Sequence, residues 1–258
     1  MGRSLAIVNQ KGGVGKTTSA VNLSACLAAA EQRTLLVDID PQANATSGVG
    51  VEWQSLESTI YDSLVEDEII KPIMCLAELP CLHLIPSHFD LVGAEVELIN
   101  IAGREVRLRR ALAEVAKDYD FTLIDCPPSL GFLTLNALIA ADGVLIPLQC
   151  EYYALEGLAH LLRTINRVRE RLNPGLEIDG VLLTMFDGRT SLANQVRSEV
   201  ERHVGARLYK AVVPRSVRLS EAPSHGKPVI LYDVRSAGAV AYLELAREVI
   251  GHAASRTR

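Results

Sequence analysis

Seven short apolar runs punctuate the chain: LAIV (5–8), TLLVDID (34–40), LHLIP (82–86), FTLID (121–125), GVLIPL (143–148), IDGVLLTMF (178–186) and KAVVP (210–214). Each is rich in β-branched and aliphatic residues and too short for a helix, so each predicts a strand. Between them apolar side chains recur at helical spacing. Residues 16–30 interleave apolar side chains with small Ala and Ser, and residues 104–117 place Val106, Leu108, Leu112 and Val115 near one face. From Leu155 to Leu172 the apolar positions follow at three and four, and residues 239–250 read as a closing helix. Strands that are apolar throughout are buried on both faces. The pattern therefore predicts an α/β fold with a doubly wound, mostly parallel sheet and helices on both faces. No linker, repeat or low-complexity stretch divides the chain, so residues 1–258 are expected to form one domain. The looser parts are about 48–80 and a short polar tail at 251–258.

Composition narrows the function classes. A chain of 258 residues that is 48% hydrophobic can bury a sizeable core. A net charge of −5 excludes a protein that coats nucleic acid with its whole surface; any such contact must come from a local patch. The five cysteines (Cys26, Cys75, Cys81, Cys126 and Cys150) are odd in number and contain no C-x-x-C pair. They read as reduced, mostly buried thiols of a cytosolic protein, with a metal or Fe–S site as the alternative. No run reaches the roughly 18 apolar residues of a membrane span. The start, MGRSLAIVNQ, is too short and too quickly polar for a signal peptide. Gly2 lacks the Ser or Thr that myristoylation wants at the sixth position, where Ala6 stands.

The chemistry begins at VNQKGGVGKTT (8–18). The common phosphate loop is G-x-x-x-x-G-K-[ST], and aligning it on Gly15-Lys16-Thr17 puts Gln10 where its first glycine belongs. The context still fits: an apolar strand, a glycine-rich turn, then a helix from about Lys16. Glycines let backbone N–H groups converge on phosphate oxygens, and the helix start adds unpaired donors and a positive dipole. Residues Lys11, Gly12, Gly13, Val14, Gly15, Lys16, Thr17 and Thr18 are therefore the candidate nucleotide-binding set, as against a merely flexible glycine turn. Lys16 is positioned for the β- and γ-phosphates, and the Thr17 hydroxyl is a direct ligand for Mg²⁺.

Two acidic stretches complete the pattern. Asp38 and Asp40 flank Ile39 in DIDPQANATSG and are expected on one side of the strand. At the carboxyl end of a strand in an open α/β sheet, such a carboxylate orients a water attacking the γ-phosphate, or holds Mg²⁺ through a water. The alternative is that either Asp merely caps the turn. FTLIDCPPS ends a strand in Asp125, the pattern of a Walker B aspartate supporting Mg²⁺ through water. Alone this is a weak signal; joined to the loop at 11–18 it is a strong one.

Taken together, KGGVGKTT, VDIDPQANATSG, IDCPPSLG, LQCEYYALEGL and VPRSVRLSEAPSHGKPV resemble the ParA/Soj chromosome- and plasmid-partitioning ATPases, a P-loop family with a deviant Walker A motif. The resemblance runs from about Leu5 to about Ile250. It implies an ATP- and Mg²⁺-dependent ATPase with slow intrinsic turnover, cytoplasmic and nucleoid-associated in a bacterium. It also implies an ATP-bound homodimer that holds double-stranded DNA non-specifically until a ParB-type centromere-binding protein stimulates hydrolysis. Residue by residue, Lys11 matches the signature lysine that crosses to the partner's nucleotide, and Gly12 a glycine at that dimer contact. Lys16 and Thr17 match the phosphate lysine and the Mg²⁺ ligand, and Asp40 the residue positioned for hydrolysis. Pro214 lies where the family lines its adenine pocket, and Arg189 and Arg218 match basic residues implicated in DNA binding. Ala43 departs from the glycine of many members, with little effect expected.

The family contains other functions. A membrane-surface switch like MinD needs a C-terminal amphipathic helix, and GHAASRTR is too short and too poor in apolar residues. Electron transfer like that of the nitrogenase iron protein needs two cluster cysteines per subunit. Cys126 beside Asp125 has no convincing second. The arginines at 104, 107, 109 and 110, and at 163, 167, 169 and 171, read as solvated helix faces. The six histidines show no ligand spacing.

Overall fold

Strand β1 (Arg3–Ile7) shows how the architecture follows from the sequence: Leu5 and Ile7 enter one apolar cluster, while Ala6 and the following Val8 enter another. A run apolar at every position feeds two cores, one on each face of the sheet. The computed structural model describes residues 2–76, 78–151 and 153–256. Among the described residues eight strands form one sheet. They are β1, β2 (Thr34–Asp38), β3 (Ile73–Met74), β4 (Leu82–Ile85), β5 (Phe121–Asp125), β6 (Gly143–Gln149), β7 (Glu177–Phe186) and β8 (Leu208–Pro214). Their order is β3-β4-β2-β5-β1-β6-β7-β8. All pairs are parallel except β3 with β4. The sheet is thus mostly parallel and doubly wound, as the apolar pattern requires.

One face is covered by α1 (Lys16–Ala29) and the closing helix; the other by helices that follow later strands. Helix α1 is buried from Ser19 to Ala28, and its small Ala and Ser residues allow close packing on both sheet and helix. A short helix α2 (Asn44–Gly48) follows β2, and α3 (Leu91–Glu97) and α4 (Arg107–Val115) precede β5. Next come α5 (Phe132–Ala140), α6 (Ala154–Arg171) and α7 (Ser191–Val204). Helix α6 buries Leu158, Leu161, Ile165 and Val168 and leaves Arg163, Arg167, Arg169 and Arg171 in water. After β8 come α8 (Val217–Glu221), α9 (Val229–Tyr232) and α10 (Ala237–Arg256).

Three expectations differ from the structure. Helix α10 runs through the expected polar tail to Arg256, because Ala253 packs on the core and the His252 ring stacks on Tyr209, 5.6 Å between centroids. Tyr209 in turn donates to the buried Asp179, which also accepts from Arg3. The looser region contains strand β3, whose two residues are too few to carry a pattern. The stretch 104–117 is a 3-10 turn, α4 and a second 3-10 turn. Its arginines are not all solvated: Arg107 is 13% exposed and pairs with Asp67, and Arg104 lies over the Phe132 ring.

Candidate functional site

The loop at 11–18 is anchored on both sides before it turns. The Asn9 side chain donates to the Pro147 carbonyl (2.7 Å) and accepts from the Lys11 N–H (3.0 Å), tying the loop to β6. Val14 is buried, and its carbonyl accepts from the Thr184 hydroxyl at 2.8 Å. Gly13 and Gly15 adopt left-handed φ of 72° and 87°, which side chains other than glycine's disfavour. Helix α1 then starts at Lys16 without a side-chain cap and with no acidic residue in its first turn. Its first N–H groups and dipole are thus open to an anion. Gly12, Gly13, Gly15, Lys16, Thr17, Thr18 and Asp40 share one cavity of about 350 Å³.

The charges around that cavity are unbalanced in a telling way. Lys16 is 6% exposed, and its ammonium donates to the Lys11 carbonyl at 3.3 Å. Burial lowers its pKa, while Asp125 and then Asp40 pull it back up. Asp125 is wholly buried, and neither carboxylate oxygen meets a hydrogen-bond donor in good geometry. Burial first, then the negative Asp38, pushes its pKa well up; the Thr17 side chain and Lys16 act in the opposite sense. An orphaned carboxyl beside a buried ammonium and a threonine hydroxyl suits a hydrated cation bridging to phosphate. Among the described residues no group of three or more His, Cys, Asp or Glu forms a protein-only metal cage, and Mg²⁺ typically uses few carboxylates plus phosphate and water. The residues present therefore fit Mg²⁺ bound together with a nucleotide.

Asp38 and Asp40 part company. The strand ends at Asp38, which turns inward and accepts from the Thr46 N–H and hydroxyl, both at 2.8 Å, and from the Asp40 N–H at 3.1 Å. Asp38 therefore ties α2 to the strand, whereas Asp40 lines the cavity. Cys126, also buried, has its thiol pushed well up by burial, then by Asp125, which leaves it unreactive. Cys26 is likewise buried; Cys75, Cys81 and Cys150 are half-buried.

Lys11 sits at the rim, half exposed, and pairs with Glu151 in the loop after β6. Pro214 lines an adjoining cavity of about 130 Å³ with Gly15, Thr18, Met185, Arg215 and Ser216. Met185 borders both cavities and holds φ at 48°, a strained setting for a long side chain. Sequence reasoning missed Met185 and Thr184, although their place at a strand's carboxyl end was a signal; nothing near Glu151 pointed to Lys11. Arg189 and Arg218 lie elsewhere on the surface. Arg189 is bidentate to Asp187 (2.7 and 2.8 Å), and Arg218 pairs with Glu221 and Asp233.

A family profile described as an AAA domain matches residues 2–178. The chain is 58% identical over 249 residues to the sporulation initiation inhibitor protein Soj of Bacillus subtilis (strain 168), covering 96% of this chain and 98% of that one. It is 56% identical over 250 residues to the chromosome partitioning protein ParA of Myxococcus xanthus (strain DK1622), covering 97% and 88%. Among solved structures, a cobyrinic acid a,c-diamide synthase from Mycobacterium smegmatis with bound ADP and magnesium superposes with a TM-score of 0.86 at 38% identity, covering 99% and 97%. With a phosphate loop lacking its usual first glycine and relatives matched almost end to end, the chain belongs to the Soj/ParA family of chromosome-partitioning P-loop ATPases.

Proposed function

We propose that the chain is an ATP-dependent partitioning switch. Binding of ATP with Mg²⁺ drives a sandwich homodimer that holds double-stranded DNA non-specifically. Slow hydrolysis, stimulated by a ParB-type partner, releases it, and the cycle runs in the bacterial cytoplasm on the nucleoid. The observation that carries this reading is the orphaned, buried Asp125 next to Lys16 beneath an uncapped helix start. In this reading Lys16 and the N–H groups of residues 12–18 hold the phosphates, and Thr17 binds Mg²⁺ directly. Asp125 and Asp40 would hold Mg²⁺ through water, and Asp40 would orient the attacking water; the bound ion would supply charge neutralisation to the phosphates. Pro214 and its neighbours take the adenine.

Gly12 supports the dimer. A Cβ there would meet nothing within 4 Å, and its φ is not left-handed, so nothing inside one chain demands glycine. In this reading the open space at Gly12 receives a second copy, and Lys11 beside it, half exposed, serves that neighbour's phosphates in trans, as an arginine finger does. Among the described residues no helix is long and apolar enough to cross a membrane.

The test is light scattering with ADP, ATP and a non-hydrolysable analogue, with and without plasmid DNA. Dimers and DNA retention are expected only with the triphosphates. Lys16→Ala abolishes nucleotide binding, and Asp40→Ala keeps the ATP dimer while stopping turnover. DNA binding of equal strength without nucleotide refutes the reading.

A further inference from the structure

Three segments distant in sequence meet around a second cavity of about 460 Å³ beside the phosphate loop. They are helix α1, helix α2 just after Asp40, and the segment 215–229 that carries Arg218 and one wall of the small Pro214 cavity. Two contacts join them. The first is Asn22 on α1, 4% exposed and bonded at both ends of its amide. Its Nδ2 donates to the Thr18 carbonyl at 2.8 Å, and its Oδ1 accepts from the Val229 N–H at 2.6 Å. Val229 opens α9 and is itself fully buried, so its N–H has no access to water as a substitute. The second contact is backbone on backbone. A Cβ on Gly226 would lie 2.7 Å from the Gly50 Cα, and one on Gly50 would lie 2.9 Å from the Gly226 carbonyl oxygen. Both residues are left-handed, with φ of 61° and 80°.

We infer that Asn22 is a positioning residue that registers the segment 215–229 on the phosphate-loop helix, with the Gly50–Gly226 contact transmitting the position of the stretch after Asp40. One end of the Asn22 amide reads the turn that holds Thr17 and Thr18; the other holds the start of α9. A change in that turn, or in the α2 segment, is passed to the segment bearing Arg218 through these two contacts across the cavity. Chemically, the device converts occupancy of the phosphate loop into the placement of a cationic surface segment. It rests on the nucleotide reading above.

The experiment is hydrogen–deuterium exchange of wild type, Asn22→Ala and Gly226→Ala, with and without Mg²⁺ and a non-hydrolysable ATP analogue. In wild type, protection is expected to rise about tenfold or more both at 11–18 and at 217–232. In each variant it is expected to rise at 11–18 while 217–232 stays within about twofold of its nucleotide-free level. Variants that respond like wild type at 217–232 overturn the inference. So does a wild type protected at 11–18 alone, a result that holds even if neither variant folds. No protection at either segment of the wild type removes the nucleotide reading and this inference together, and so separates the two failures.

Discussion

Asp38 and Asp125 are register neighbours on β2 and β5, both fully buried, and Asp38 raises the Asp125 pKa on top of the effect of burial. For Asp38 burial dominates, partly offset by the hydrogen bonds from Thr46, and the pKa stands at about 6. The ordinary value is about 3.9, so between the two the native chain binds the extra proton. The contribution of this carboxyl to stability is therefore full below about pH 4 and is lost as pH rises through about 6. Asp38→Asn removes the titration but also disturbs the Thr46 bonds. Its Tm deficit relative to wild type should shrink, by the equivalent of about 1 kcal/mol, from about pH 5 to about pH 7.5. Thermal melts in EDTA check this; a constant deficit contradicts it. Lys11 poses the opposite case. Its pair with Glu151 is half exposed, worth about 0–1 kcal/mol, and so is readily given up. Lys11→Ala should leave monomer ATP binding within about twofold and abolish dimer-dependent hydrolysis, read by analogue titration and turnover at rising protein concentration. Ala43 holds φ at 50°, a setting glycine takes freely and alanine accepts at a cost of about 1 kcal/mol.

The element that carries Arg189 is the loop between β7 and α7. There Asp187 grips the guanidinium, and that hydrogen bond holds the Asp187 carboxyl down at about 2. The pair therefore stays ionised throughout the physiological range, and mild acid does not free the arginine. Removing the carboxylate does. Asp187→Asn should tighten ATP-dependent DNA retention by roughly threefold or more and steepen its salt dependence, with no such gain on lowering wild type to about pH 5. Filter binding across a salt series measures both. The same loop illustrates what was readable beforehand. The seven longer strands were legible as short, mainly apolar runs: the central ones are buried on both faces, while the edge strand β8 alternates and exposes Lys210. Helix α6 was legible because its arginines and leucines segregate. Strand β3 has no period to read, and α10 outran its apolar pattern because its last turn packs through a stacked histidine and an alanine. At the site, the loop and both strand-end carboxylates could be read from local spacing. Met185, Glu151 and the inward turn of Asp38 depend on chain segments brought together only by the sheet order.

At the scale of the molecule, if the chain binds DNA as the proposed dimer, a net charge of −5 per chain means that it approaches DNA against its own field. Binding then rests on a few cations. If Arg189 and Arg218 of two copies contact phosphates, log K should fall against log salt with a slope of about −4. A slope near −10, the mark of a broad basic surface, points to contacts beyond these arginines. The parallel sheet also sorts the molecule into two ends. Every candidate nucleotide residue lies at or after the carboxyl end of a strand. Gly2, Arg3, Asp142, Glu177 and Ala253 instead line a cavity where strands begin. The last turn of α10 is fixed there through His252 and Tyr209. A fluorophore attached at Ser255 would therefore ride where the strands begin, a strand's length (about 17 Å) from the phosphate loop, and would leave the nucleotide end clear.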